Sequence, residues 1–113
     1  MQILSQKMSL EELNNMAQTL FEDVVKAVVD IDRELMALNA ELHSDLEALL
    51  LQNGSKQANL WGINLYPKVT GEDFIEFDSM INVRPSVGNR SRGVESEAVR
   101  KKIVVVVNQW IHQ

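Results

Sequence analysis

From Asp73 the chain reads DFIEFDSMINVRPSVGNRSRG, and this stretch constrains the fold more than any other. Ile75, Phe77, Ser79, Ile81 and Val83 fall on one side of an extended backbone. Glu76, Asp78, Asn82 and Arg84 fall on the other. Alternation of this length predicts a strand over 74–84 with one buried and one wet face. Pro85 has no amide donor for a ladder and stops the strand. Ser86 to Gly93 then form a loop that carries Arg90 and Arg92 among Ser, Gly and Asn.

A chain of 113 residues suits one domain over 1–113. A domain of this size buries roughly two-thirds of its unfolded surface, so a core forms without covalent staples. There is no cysteine. That excludes disulfides, thiolate metal ligands and a cysteine nucleophile, and it fits a reducing compartment, with cytoplasmic placement the expectation. MQILSQKMS has no leader-type apolar run. Ile103–Val107 is far short of the ~20 residues a membrane span needs, so no membrane association is expected.

The net charge of -5 conceals an asymmetry. Residues 1–83 hold five basic and fourteen acidic side chains, net -9; residues 84–113 hold six and two, net +4. An acidic body argues against broad nucleic-acid binding, which needs a surplus of Lys and Arg. The basic end can meet the acidic body, a second subunit or an anionic ligand.

In chain order, Gln2–Leu4 reads as a very short strand. Ser9 and Glu12 make a capping box, and Leu10, Leu13, Ala17, Leu20, Phe21 and Val24 recur at helical spacing, predicting a helix at about 9–22. VVKAVVDI, Val24 to Ile31, is β-branched and reads as a strand. Asp32-Arg33 can turn the chain into a partner strand over 34–42. Yet Leu35, Leu38, Leu42, Leu46, Leu49 and Leu50 equally fit one long helix over 34–51, and the Leu, Met, Ala and Glu content slightly favours it. Ser44 with Glu47 makes a second capping box for a short helix at about 44–53, stopped at Asn53-Gly54. Leu60–Tyr66 reads as a strand with Trp61, Ile63 and Leu65 inward and Asn64 and Tyr66 outward, ended by Pro67 and paired with 74–84. Gly62, inside it, marks a bulge or a close approach. Val99, Ile103, Val106, Val107, Trp110 and Ile111 predict a terminal helix within 94–111. The pattern predicts an α+β fold: an antiparallel four-stranded sheet of two hairpins, with the N-terminal, short central and C-terminal helices packed on one face.

Three blocks, ELHSDLEALLLQNGS (Glu41–Ser55), LWGINLYP (Leu60–Pro67) and FIEFDSMINVRPSVGNRSRGVE (Phe74–Glu95), resemble a family of small uncharacterised prokaryotic proteins, frequent in cyanobacteria, described as a domain of unknown function. The resemblance runs from the SLEEL helix to the last helix. It implies a one-domain cytoplasmic protein of about this size and supplies no activity, cofactor or catalytic residue. The hairpin over 24–42 is preferred to the long helix partly on this ground.

Two clusters carry candidate chemistry. In ELHSD, Glu41, His43 and Asp45 alternate, and an imidazole beside carboxylates suits acid–base work or a divalent metal. No HExxH and no second nearby His supports a metal site, so none is expected. Alternatively, His43 is a hydrogen-bonded residue at a strand–helix junction and Asp45 favours the helix dipole. The second cluster is an anion pocket of Arg84, Asn89, Arg90 and Arg92 with Ser86 and Ser91, beside Tyr66 on the polar face. Guanidinium forks suit carboxylate or phosphate. GNRSRG lacks the ending of a phosphate loop, and no cofactor is expected. Alternatively, these arginines pair with Glu76, Asp78 or Glu41 and pin the loop, or cross a dimer interface. Trp61 and Phe77 read as core.

The preferred function is a binding or interaction module that self-associates to a homodimer and takes a small anionic ligand on the polar face and arginine loop. Whether the chain is an enzyme stays open. A metal-assisted phosphoester hydrolase would use His43 as base, Glu41 and Asp45 on the metal and Arg84, Arg90 and Arg92 on the phosphate, which requires all of them within about 10 Å. A nucleic-acid binder would use the basic last third, against the acidity of the rest.

Overall fold

The hairpin, and not the long helix, forms across residues 24–42. The computed structural model describes residues 1–112. In it β1 (Gln2–Ile3), β2 (Met8–Ser9), α1 (Leu10–Leu20), β3 (Val25–Asp30), β4 (Leu35–Leu38), α2 (His43–Gln52), β5 (Leu60–Leu65), β6 (Ile75–Glu76), α3 (Glu97–Trp110) and β7 (Ile111–His112) follow one another. β3 and β4 pair antiparallel from Asp30↔Leu35 to Ala27↔Leu38. The turn between them has no glycine, and the Asp30 carboxylate supplies what is missing. Its Oδ1 accepts from the amides of Asp32 and Arg33, both at 2.9 Å, while Glu34 takes the left-handed conformation at φ 55. An aspartate that bonds its own following amides holds a turn that helix propensity alone would not select.

The main sheet has five antiparallel strands in the order β1-β4-β3-β5-β6, not four. The added strand is β1, which joins the free edge of β4 through Gln2↔Leu38 and Ile3↔Ala37. β2 and β7 make a separate parallel pair. The expectation that all helices lie on one face is also corrected. Val25, Ala27 and Val29 of β3 face a core built with α1 and α3 through Leu13, Ala17, Ile103 and Val107. Val28, with Ala37 and Leu60, faces the opposite way, against Leu46 and Leu50 of α2. A central strand covered on both sides reads as a continuous apolar run, and VVKAVV is one but for Lys26.

Ser9 caps α1 by accepting from the Glu12 amide at 3.1 Å. Ser96 caps α3 through the Val99 amide at 3.2 Å. The second capping box does not form. α2 starts one residue early, with Leu42 as an uncapped N-cap, because His43 is drawn to the Ile63 carbonyl and Glu47 turns towards Arg84.

The long strand over 74–84 is not formed either. β6 ends at Glu76, Met80–Asn82 is a 3-10 turn, and Arg84 meets Asn89 in an isolated bridge. The cause lies at Gly62. A Cβ there would stand 2.5 Å from Ser79 Oγ, so the chain closes directly onto β5. Asn82 then bonds both main-chain groups of Gly62. Side chains satisfy the β5 edge where a strand was expected. No helix among the described residues is long and apolar enough to cross a membrane.

Candidate functional site

α2 covers only the half of its sheet face that holds Val28, Ala37 and Leu60. On the other half the register places Lys26, Asn64 and Glu76 side by side, from Lys26↔Asn64 and Asn64↔Glu76. Directly opposed antiparallel residues share a face, so these three form one polar row across three strands. Asn64 Nδ2 donates to Glu76 Oε1 at 2.8 Å and to the Asp78 carbonyl at 3.2 Å. The Tyr66 hydroxyl donates to the same Glu76 oxygen at 3.0 Å. Arg92 Nε meets Asp78 Oδ1 at 2.7 Å. The Lys26 ammonium lies 5.4 Å from the centroid of the Phe21 ring. Burial, then the bond to Glu76, raises the Tyr66 pKa above its usual value, because both oppose a phenolate.

His43 stands where α2 meets this row. Its Nε2–H donates to the Ile63 carbonyl at 2.8 Å, which fixes the neutral tautomer with the proton on Nε2. Burial holds its pKa below the ordinary 6.5, partly offset by that carbonyl. Asn64 is only 8% exposed; its side chain adjoins the His43 ring and favours the protonated imidazole, and its Oδ1 has no other hydrogen-bond partner among the described residues.

The sequence candidates divide. His43, Tyr66 and Arg92 reach this cluster. Glu41 and Asp45 have no side-chain hydrogen bond or ion pair to it among the described residues; both are exposed while His43 is buried, because residue 43 opens a helix instead of ending a strand. Among the described residues no three His, Cys, Asp or Glu side chains gather as metal ligands.

Arg84, Arg90 and Arg92 do not share one spot. Arg84 stacks 5.1 Å from the centre of the Trp61 ring, donates to the Leu60 carbonyl and lies 3.6 Å from Glu47. Its burial lowers its pKa, which Glu47 opposes. Arg92 instead meets Asp78, whose carbonyl is bonded by Asn64, so the two guanidinium groups share no partner. Arg90 is exposed. The broken strand is the reason: each arginine leaves the chain after a different turn.

Asn89 is buried and organises the loop. Its Nδ2 donates to the carbonyls of Asn82, Ser91 and Gly93, and its Oδ1 accepts from the Glu95 amide. The amides of Arg90 and Ser91 converge on Glu95 Oε2 at 2.6 and 2.8 Å. These two bonds pull the Glu95 pKa below its ordinary value. The loop's anion seat is thus filled by its own carboxylate. Sequence reasoning missed Lys26 and the bracing roles of Asn82 and Glu95. Only Lys26 had a signal, the lone charge inside an apolar strand.

Fold and site define an α+β protein with a five-stranded antiparallel sheet and a polar row beside the start of its central helix. The chain belongs to the family described as Protein of unknown function (DUF5674), whose model matches residues 2–110. No curated protein and no solved structure matches it.

Proposed function

We propose that the protein is a binding module whose site is the polar row Lys26–Asn64–Glu76, with His43, Tyr66, Asp78 and Arg92 around it. One observation carries this reading: Asn64 Oδ1 is buried with no partner beyond the adjoining His43 ring, while the amide's other end is fully used. An unpaired buried acceptor costs about 1–3 kcal/mol, which a bound donor would recover. Lys26, which makes no ion pair among the described residues, supplies positive charge at the rim beside the Arg92–Asp78 pair, so the ligand class is a small polar molecule with an anionic group and a hydrogen-bond donor. The lack of cysteine supports placing it in a reducing compartment such as the cytoplasm.

The test is a titration of the labelled chain with phosphate, citrate and glutamate, followed by amide shifts in NMR. Saturable shifts at Asn64, Glu76 and Asp78, lost in Asn64→Leu, are expected for at least one probe. Shifts nowhere in this row for any of the three would overturn the assignment.

A further inference from the structure

The polar row spends nearly all of its own donors. Both hydrogens of Asn64 Nδ2 go to Glu76 Oε1 and the Asp78 carbonyl, and the Tyr66 hydroxyl goes to the same Glu76 oxygen. The His43 Nε2–H goes to the Ile63 carbonyl, and Arg92 Nε to Asp78. What remains are acceptors. Asn64 Oδ1 is buried with no partner beyond the His43 ring. Glu76 Oε2 and Asp78 Oδ2 receive no bond among the described residues.

The charges lean the same way. Behind burial and the bond to Glu76, the charges of Glu76, Asp23 and Asp78 all oppose a phenolate at Tyr66, so three carboxylates surround that hydroxyl. Two cations answer them. Arg92 is exposed, and its charge is already matched by Asp78. Lys26 makes no ion pair among the described residues, and its ammonium rests on the exposed Phe21 ring, a weak contact that it can leave. Lys26 stands directly opposite Asn64, which sets their β-carbons about 5 Å apart on one face.

A simple anion suits this arrangement poorly. Phosphate or a dicarboxylate brings acceptors to a row already rich in them, and the carboxylates repel it. A simple cation satisfies the acceptors but is opposed by Lys26. A molecule that carries an ammonium and a carboxylate on one carbon answers both demands, and its two charges are as close together as Asn64 and Lys26 require. We infer that the ligand of the polar row is a free α-amino acid, its ammonium donating to Asn64 Oδ1 and Glu76 Oε2 and its carboxylate held by Lys26. This rests on the row being a binding site and adds the chemistry that it selects.

The experiment titrates the isotope-labelled full chain with alanine, propionate and ethylamine beside glutamate, phosphate and citrate. Propionate is alanine without its ammonium, and ethylamine is alanine without its carboxylate. Alanine and glutamate should give saturable amide shifts at Asn64, Glu76 and Asp78. Propionate, ethylamine, phosphate and citrate should each bind at least about tenfold more weakly, the loss expected for a charge-assisted bond. Lys26→Met should weaken alanine by about as much. Glu76→Gln keeps an oxygen for Asn64 and Tyr66 but drops the charge. It should weaken alanine and leave phosphate no weaker than before. Propionate or ethylamine binding as tightly as alanine overturns the inference. Phosphate or citrate saturating the row while both amino acids fail overturns it too, and leaves the row standing as a site for another ligand. No shift in the row with any of the six removes the site and the inference together.

Discussion

The side-chain amide of Asn82 occupies the edge of β5 as a strand would, accepting from the Gly62 N–H at 2.8 Å and donating to the Gly62 C=O at 3.0 Å. The same Nδ2 also donates to the Arg92 carbonyl at 2.9 Å. Asn82 is fully buried. Its removal leaves both main-chain groups of Gly62 unpaired, at about 1–3 kcal/mol each. Asn82→Ala should therefore lower the unfolding free energy by roughly 2–5 kcal/mol in urea titration. Asn82→Asp should cost at least as much, since a carboxylate cannot donate to the carbonyls and brings a charge into the interior. A loss below about 1 kcal/mol for both would show that water replaces the amide.

Gly62 is required by the same contact. A Cβ at position 62 would lie 2.5 Å from Ser79 Oγ and 2.6 Å from Ser79 Cβ. The Cβ contact cannot be relieved by rotating a hydroxyl. Gly62→Ala should destabilise by about 1–3 kcal/mol, as overpacked cores do. Ser79→Ala should not rescue it, because its Cβ remains, whereas Ser79→Gly should recover part of the loss. Equal recovery by the two second-site changes would contradict the geometry.

Much of this was legible in the residues and some was not. The helices of SLEEL and of the last third follow from a capping serine and apolar spacing, and both form. β3 is written in its β-branched run, and the close approach at Gly62 is foreshadowed by a glycine inside a strand. The sheet's second covered face was also present, as a strand without alternation, but four strands in two hairpins gave it no use. The long strand failed for a different reason. Alternation reports which side chains are buried, and Phe77, Ser79 and Ile81 are at least half-buried as the period requires, whereas Asn82, expected on the wet side, is fully buried. It does not report whether the backbone or a side chain fills the neighbouring edge. That choice rests on Asn82 and Ser79 meeting Gly62, a contact across 20 residues of sequence in the case of Asn82. The arginine pocket failed with it, because its geometry assumed a straight strand.

Arg84 and Glu47 illustrate how little an arginine's role can be read from its neighbours in sequence. Their side chains are 10% and 14% exposed, and Arg84 Nε and Nη1 have no partner among the described residues. The guanidinium is held by the Trp61 ring, the Leu60 carbonyl and Glu47 together. Lysine can reproduce the charge but not the flat stack with its fork. Arg84→Lys should destabilise by about 1–2 kcal/mol, and Glu47→Ala by at least as much, because the latter leaves a largely buried cation uncompensated. Thermal or urea unfolding of both variants checks the order, and a more stable Glu47→Ala would reverse the assigned role.

His43 should make the fold sensitive to mild acid. Burial depresses its folded pKa below 6.5, while the unfolded chain titrates near that value. Between the two, the unfolded state binds a proton that the folded state refuses. Stability is therefore complete above pH 6.5 and is lost as pH falls through the folded pKa. His43→Gln keeps a donor for the Ile63 carbonyl but cannot titrate. Its urea midpoint should be nearly flat with pH where the wild type declines. Glu95 is also depressed but begins from a carboxylate value of 4.5, so its own contribution falls in a lower window. A wild-type midpoint that does not move between neutral pH and that window would contradict the burial of the imidazole.

Glu95 itself supports the loop that was expected to take an anion. Its carboxylate accepts both the Arg90 and Ser91 amides, and a short nest of consecutive N–H groups attracts whatever negative charge is nearest. Glu95→Ala should free those amides and speed their hydrogen exchange, with the amides of β3 unaffected. Added phosphate or sulfate should slow exchange again at Arg90 and Ser91 in the variant and have no effect on the wild type, where the seat is taken. Protection that persists in Glu95→Ala without added anion would mean that Asn89 alone, through its bonds to Asn82, Ser91 and Gly93, holds the loop shut.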